Sequence, residues 1–345
     1  LAQLTAQGAV VRHFSTHAGV CVESCNIRDA GLDAQCEAGG KFVSVVDFVK
    51  ANTPRVIRRV SRNIRLQVGW ASNARQSYDH TRDQCVFETM IAARLRGANR
   101  SERLTLYGEV YDEYGRAFPE VVSDSSDANV RYELAFTRRF MPPDAIVAEV
   151  GPGRCEFAIA LAAHCKVIYG VDVADLPLTV SRPPNFRHVL TNGVQIPLPD
   201  DSIDLVISNQ LMEHLHPDDA ADQLHEILRI MKAGGSYICV TPNRLHGPHD
   251  SSARFDDLPC PVADGTFVAN GLHLKEYTNS ELSQLFLAAG FRRARHFTGA
   301  RGVYIEVPSG MMFFSERCAR HIPLRLRKRS RLLRAMVGVR LVADK

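Results

Sequence analysis

One short stretch concentrates most of the chemistry available to the chain. Val147-Ala148-Glu149-Val150-Gly151-Pro152-Gly153-Arg154-Cys155 runs from an apolar segment through a tight glycine turn into a helical pattern. Such a turn lets backbone come close to a ligand, and a helix N-terminus favours negative charge. A dinucleotide fingerprint would need a third glycine at position 156, where the chain has Glu156. A pyrophosphate would meet a carboxylate there, which argues against a nucleotide-cofactor oxidoreductase. Glu149 stands just before the glycines, and the next apolar run ends Tyr169-Gly170-Val171-Asp172. An acid at the end of a second strand is placed to accept hydrogen bonds from both ribose hydroxyls of a nucleoside. Together these residues suit a nucleoside ligand without pyrophosphate, whose positive centre tolerates a nearby carboxylate.

The elements that must position them follow an alternating pattern. Ile146–Val150 reads as a strand, Cys155–Ala163 as a helix, and Val167–Val171 and Phe186–Leu190 as the second and third strands. Ile203–Ser208 is a fourth strand, Asp218–Met231 a helix, Ser236–Thr241 a fifth strand, and Ser280–Ala289 a helix ended by Gly290. Phe291–Thr298 and Gly302–Val307 are two strands joined by a short turn. Strands alternating with helices imply a mostly parallel sheet covered on both faces. Residues 80–97 and 126–140 also read as helices.

These motifs, in this order, resemble the class I S-adenosylmethionine-dependent methyltransferases, in particular the large type 11 group. Glu149-Val150-Gly151-Pro152-Gly153 is similar to that family's first motif, and Asp172 to its ribose-binding acid. Asn192-Gly193-Val194-Gln195-Ile196-Pro197-Leu198-Pro199-Asp200 resembles the segment whose Asp or Asn contacts adenine. Asp204 to Leu215, ending Leu211-Met212-Glu213-His214-Leu215, resembles the fourth strand and the L-E-H that follows it. Leu228 to Gly235 resembles the turn into the fifth strand, with Ala233 in place of the usual proline. Cys155 stands where many members have a further glycine. The resemblance implies S-adenosylmethionine as cofactor, with Glu149, Gly151, Gly153, Asp172, Asn192, Gly193 and Asn209 at its site; no metal is expected, since no spacing rule supports a Glu213/His214/His249 set. It also implies an α/β, doubly wound, seven-stranded, mostly parallel Rossmann-like sheet, to which the residue patterns add an antiparallel edge hairpin and a helical N-terminal extension.

Methyl transfer from a sulfonium needs alignment of nucleophile, carbon and sulfur, and a hydroxyl acceptor must also lose a proton. Ligands sit at the carboxyl ends of such strands, so the candidates for a base follow strands four and five. They are Glu213 and His214, then His246, His249 and Asp250, with His273 in a later segment. His249 with Asp250 as orienter is the favoured base, and His214 the other candidate, because histidine is best poised for proton transfer near neutral pH. The connection from Asn243 to Glu276 is long enough to fold over an acceptor, and Arg244, Arg254 and Lys275 could meet an anionic one.

Composition bounds the rest. The chain has 345 residues, 45% hydrophobic and 23% charged, an ordinary globular balance. No apolar run reaches the length of a membrane span, and no secretory signal is evident. Nine scattered cysteines do not make a disulfide framework, so a reducing cytoplasm is the expected compartment. His13, His17, Cys21 and Cys25 recur every four residues but match no usual zinc spacing. Charge is uneven: Glu316 to Lys345 holds ten Lys/Arg against two acids, and Lys41 to Arg75 holds eight against Asp47. The expected organisation is a poorly ordered then basic helical extension over 1–75, with an amphipathic helix at 42–66. A methyltransferase domain follows over 76–310 (core 131–307), and then a basic tail over 311–345. Pro323–Arg340 reads as an amphipathic helix able to lie on an anionic membrane surface. The expected acceptor is a small molecule, lipid or saccharide methylated at oxygen, with no nucleic-acid partner. A catalytically silent scaffold and an RNA methyltransferase are the alternatives; Ser208-Asn209-Gln210-Leu211 lacks the Asn-Pro-Pro-Tyr type of nucleobase motif.

Overall fold

The computed structural model describes residues 82–118, 127–175, 181–246, 272–300, 303–329 and 339–345, together with six short strands between Val10 and Ser44. The chain divides into two compact units, Leu1–Asp79 and His80–Lys345. The described part of the first is antiparallel strand, including Lys41–Ser44. The rest of the helix read over 42–66 lies outside the described residues.

The second unit runs α1 (82–97), α2 (Arg100–Ala117), α3 (Asp127–Thr137), β1 (Ile146–Val150), α4 (Glu156–Ala162), β2 (Val167–Asp172) and β3 (Phe186–Leu190). It continues with β4 (Ile203–Asn209), α5 (Pro217–Ile230), β5 (Met231–Thr241), α6 (Asn279–Ala288), β6 (Arg293–Ala300) and β7 (Val303–Val307). It ends with α7 (Ser309–Arg320), α8 (Leu324–Arg329) and β8 (Val339–Asp344). The eight strands form one sheet in the order β7-β6-β8-β5-β4-β1-β2-β3. Pairing is parallel from β3 through β5, and antiparallel at β5–β8, β8–β6 and β6–β7. The β6–β7 hairpin forms the expected edge.

The strand added to the seven expected is β8. It lies inside the sheet, where a basic tail and an amphipathic helix ending at Arg340 were expected. Among the described residues of Pro323–Arg340, the one regular helix is α8. Val339, Leu341, Val342 and Ala343 are all at most 2% exposed. Their side chains alternate between the two cores, Leu341 on one face and Val342 on the other. Burial on both faces of a central strand explains why the segment reads as a continuous apolar run. β1 and β4 alternate in the same way: Val147, Leu205 and Ile207 face α3 and α4, while Ala148 and Val206 face α1, α2, α5 and α6. Among the described residues, no helix is long and apolar enough to cross a membrane.

Helix α2, absent from the sequence reading, begins with a reciprocal cap. Asn99 Oδ1 accepts from the Glu102 amide at 3.1 Å, and Glu102 accepts from the Asn99 amide at 2.8 Å. Asp219, in the first turn of α5 where a carboxylate complements the helix dipole, ties α2 down. It is fully buried and takes a bidentate pair from Arg103, Nε at 2.6 Å and an Nη at 2.8 Å, plus the Tyr107 hydroxyl at 2.8 Å. Tyr107 Oη in turn accepts from the His216 amide at 2.9 Å. Removing one partner of such a buried pair strands the other charge. Asp219→Ala is therefore expected to cost about 3–5 kcal/mol in urea unfolding, whereas replacing both partners with apolar residues recovers most of that. A loss below about 1 kcal/mol, the range of an exposed pair, would contradict this account.

Candidate functional site

Two cavities open at the carboxyl ends of the parallel strands. The first is walled by Val150, Gly151 and Gly153 after β1, Asp172 to Ala174 after β2, and Thr191 and Gly193 after β3. Gln210, Leu211 and His214 after β4 complete its floor, and Tyr107, Tyr111 and Tyr114 of α2 close it from above. The second shares Gly151, Gly153, Gln210 and His214 with the first, and adds Asn129 and Glu133 of α3, Glu149, Asn209, and Arg340 of β8. His214 therefore stands in the wall common to both.

The turn after β1 is shaped by its neighbours. Gly151 has φ +71°, a backbone conformation that strains an L-residue, and a Cβ there would push on Leu211 Cδ1 at 2.8 Å. Cys155 keeps a left-handed backbone, φ +59°, without being glycine, a conformation costing about 1 kcal/mol or more for an L-residue. Asp172 braces the turn: its carboxylate accepts from the Gly153 amide at 2.9 Å and the Val173 amide at 2.7 Å. Burial lifts its pKa to about 6 despite these bonds. Glu149 is buried. Burial, with the Asp172 charge adding, lifts its pKa to about 8, and its Oε2 has no hydrogen-bond partner. Two carboxyl groups held above their ordinary range, one with an orphaned oxygen, form a well that a bound cation would relieve. The donor set thus fits a nucleoside carrying a sulfonium.

The other expected residues divide. Gly193 lines the first cavity, and a Cβ there would meet Tyr107 at 2.8 Å. Asn192 does not line it: Oδ1 accepts from the Val194 and Gln195 amides at 3.1 and 2.8 Å, closing its own turn. Asn209 lines the second cavity rather than the first. His249, Asp250 and Arg254 lie outside the described residues. Arg244 is engaged by Glu281, and Lys275 lies over the Tyr277 ring at 4.8 Å, so both have structural partners.

His214 is described in full. Its Nδ1 lies 3.3 Å from Leu272 O, and its ring stands edge-on to Tyr111 at 6.3 Å and to His273 at 5.0 Å. Burial, then the neighbouring His273, drives its pKa down to about 3, so the imidazole is uncharged near neutral pH.

Two features of the site escaped the sequence reading. The α2 tyrosines fall at i, i+4 and i+7, a helical spacing that marks one face. Arg340, read as tail charge, is bound by Glu133 at 2.5 and 2.6 Å and stacks 4.7 Å from the Phe136 ring and 4.1 Å from Tyr304. A basic residue inside an apolar C-terminal run was the available signal.

Comparison with known proteins shows what the chain is similar to. The family model described as "Methyltransferase domain" matches residues 148–239. A probable S-adenosylmethionine-dependent methyltransferase of Mycobacterium tuberculosis is 26% identical over 211 residues, covering 60% of this chain and 71% of that protein. One of Mycolicibacterium smegmatis is 30% identical over 166 residues, covering 47% and 58% respectively. Among solved structures, the 1,6-didemethyltoxoflavin-N1-methyltransferase of Burkholderia thailandensis is 15% identical, covers 72% of this chain and 91% of its own, and superposes with a TM-score of 0.44. The ordered motifs and the matched domain lead to one assignment: residues 148–239 carry a methyltransferase domain, and the chain is similar to S-adenosylmethionine-dependent methyltransferases.

Proposed function

We propose that this enzyme methylates a hydroxyl oxygen of a small-molecule, lipid or saccharide acceptor. The observation that carries this reading is the position of His214, in the wall shared by the two cavities. When bound, S-adenosylmethionine supplies an electrophilic methyl carbon on a positively charged sulfur. The chain's own residues do the rest. In the first cavity Asp172 accepts the ribose hydroxyls, Gly151 and Gly153 admit the amino-acid end, and the α2 tyrosines cover the nucleoside. Glu149 answers the positive charge. The acceptor occupies the second cavity, whose Asn129, Asn209, Gln210 and Arg340 can hydrogen-bond a polyhydroxylated molecule. The uncharged His214 offers a lone pair at the junction, which suits an oxygen that must be made more nucleophilic. A lipid acceptor is further favoured by Met311, Phe314, Leu324 and Leu326, exposed on α7 and α8 among basic residues, a combination suited to an anionic membrane surface.

Calorimetric titration with S-adenosylhomocysteine tests the cofactor half. Saturable one-to-one binding is expected, weakened roughly 10- to 100-fold or more in Asp172→Ala, since hydrogen bonds to a charged group contribute about 1.5–3 kcal/mol each. Ribose hydroxyls and protons compete for the same carboxylate, so affinity is full above the Asp172 pKa and falls as pH drops through about 6. Asp172→Asn should bind more weakly, without that dependence. A pH-independent wild type would contradict the ribose role. Incubation with methyl-labelled cofactor and a panel of alcohols, glycolipids, amines and RNA tests the acceptor half. Label in an ether or ester oxygen is expected, and label confined to RNA or amines would refute it.

A further inference from the structure

His214 belongs to a cluster whose other members, Glu213 and His273, line neither cavity. Glu213, His214 and His273 each offer one ligand atom, and these atoms all lie within 4.8 Å of one another. The first two come from the turn after β4 and the third from the segment before α6. Backbone bonds hold the two segments together: the Leu274 and Lys275 amides donate to Glu213 O at 2.6 and 3.1 Å. Arg96 of α1 donates to His273 O at 3.0 Å.

The surroundings are those of a ligand set. His273 Nδ1 lies 2.8 Å from Glu276 Oε1, and Glu276 is fully buried. His214 Nδ1 lies 3.3 Å from Leu272 O. Metal-binding histidines use one ring nitrogen in this way, on a carboxylate or a carbonyl, and turn the other to the ion. Glu213 is fully buried. Its Oε2 accepts from Thr241 Oγ1 at 2.8 Å, while its Oε1 has no hydrogen-bond partner. An orphaned buried carboxylate oxygen costs free energy unless something meets it.

We propose that Glu213, His214 and His273 hold a divalent transition-metal cation beside the wall that His214 gives to both cavities, with an open coordination position for the acceptor oxygen. Two imidazoles and one carboxylate suit zinc, manganese, iron(II) or cobalt(II) better than magnesium or calcium. Three protein ligands leave positions open, as catalytic sites do. This rests on the methyl-transfer reading and assigns the lone pair of His214 to the cation. The cation lowers the pKa of the acceptor hydroxyl. The acceptor O–H bond breaks and its proton passes to water. The oxygen then forms a bond to the methyl carbon as the carbon–sulfur bond breaks, and that electron pair stays on sulfur, leaving neutral S-adenosylhomocysteine.

The full chain, stripped with chelator, is titrated with cobalt(II) and followed by visible absorption and metal analysis, with S-adenosylhomocysteine binding measured separately on each sample. One equivalent is expected, with the intense band of four- or five-coordinate cobalt. His273→Ala should lose both while retaining S-adenosylhomocysteine affinity. Glu276→Gln should bind cobalt 10- to 100-fold more weakly, and it serves as the test should His273→Ala fail to fold. Absence of stoichiometric cobalt in wild-type protein that binds S-adenosylhomocysteine overturns the proposal, as does undiminished cobalt binding in folded His273→Ala or Glu276→Gln. Failure of the cofactor reading registers on the other arm, as no S-adenosylhomocysteine binding.

Discussion

A single buried carboxylate determines whether the sheet has a closed cavity or an open edge. The carboxyl ends of β1 to β4 supply a floor, as in any doubly wound sheet, but α2 supplies the cover. Asp219 fixes α2 by accepting from Arg103 and Tyr107 together. Tyr107 belongs to both systems, since its hydroxyl joins the anchor while its ring lines the cavity and fills the space left by Gly193. The cover is thereby set in register with the loop after β3, and the aromatic spacing of α2 gains its meaning.

Beneath that cover the electrostatics are poised rather than relaxed. Buried Glu149 and half-buried Asp172 have raised pKa values, and Glu213 is raised to about 7, chiefly by burial. His214 is pushed the other way, to about 3. Burial disfavours the charged form of each. For an acid whose folded pKa is raised, ionisation destabilises the fold as pH rises through that value. Part of the stability of this unit is thus given up near neutral pH to keep a site ready for positive charge. Perturbed groups of this kind cluster where chemistry is done.

What was legible in the sequence was local. The glycine turn, Glu149 and Asp172 lie within one strand–turn–helix–strand run, so spacing alone put them together. Gly193 and His214 could also be placed, because each follows a strand end directly. What was not legible depends on distant partners. Nothing near Val339–Asp344 reveals that β5 and β6 will flank it, and the basic residues before it drew Val339 and Arg340 into a helix reading. Asn192 was read by its type, which does not reveal that its Oδ1 accepts from the amides two and three residues on. The approach of His273 to Glu213 is tertiary and has no signature in spacing.

The central claim is that the cavity between α2 and the ends of β1, β2 and β3 holds the cofactor. Hydrogen–deuterium exchange of the full chain, with and without saturating S-adenosylhomocysteine, tests its location directly. The account predicts added protection at 151–154, 172–174 and 191–194, and in α2 around Tyr107 to Tyr114, with β6 and β7 unchanged. Protection that spares α2 and the glycine turn, or that falls on β6 and β7 instead, would contradict it.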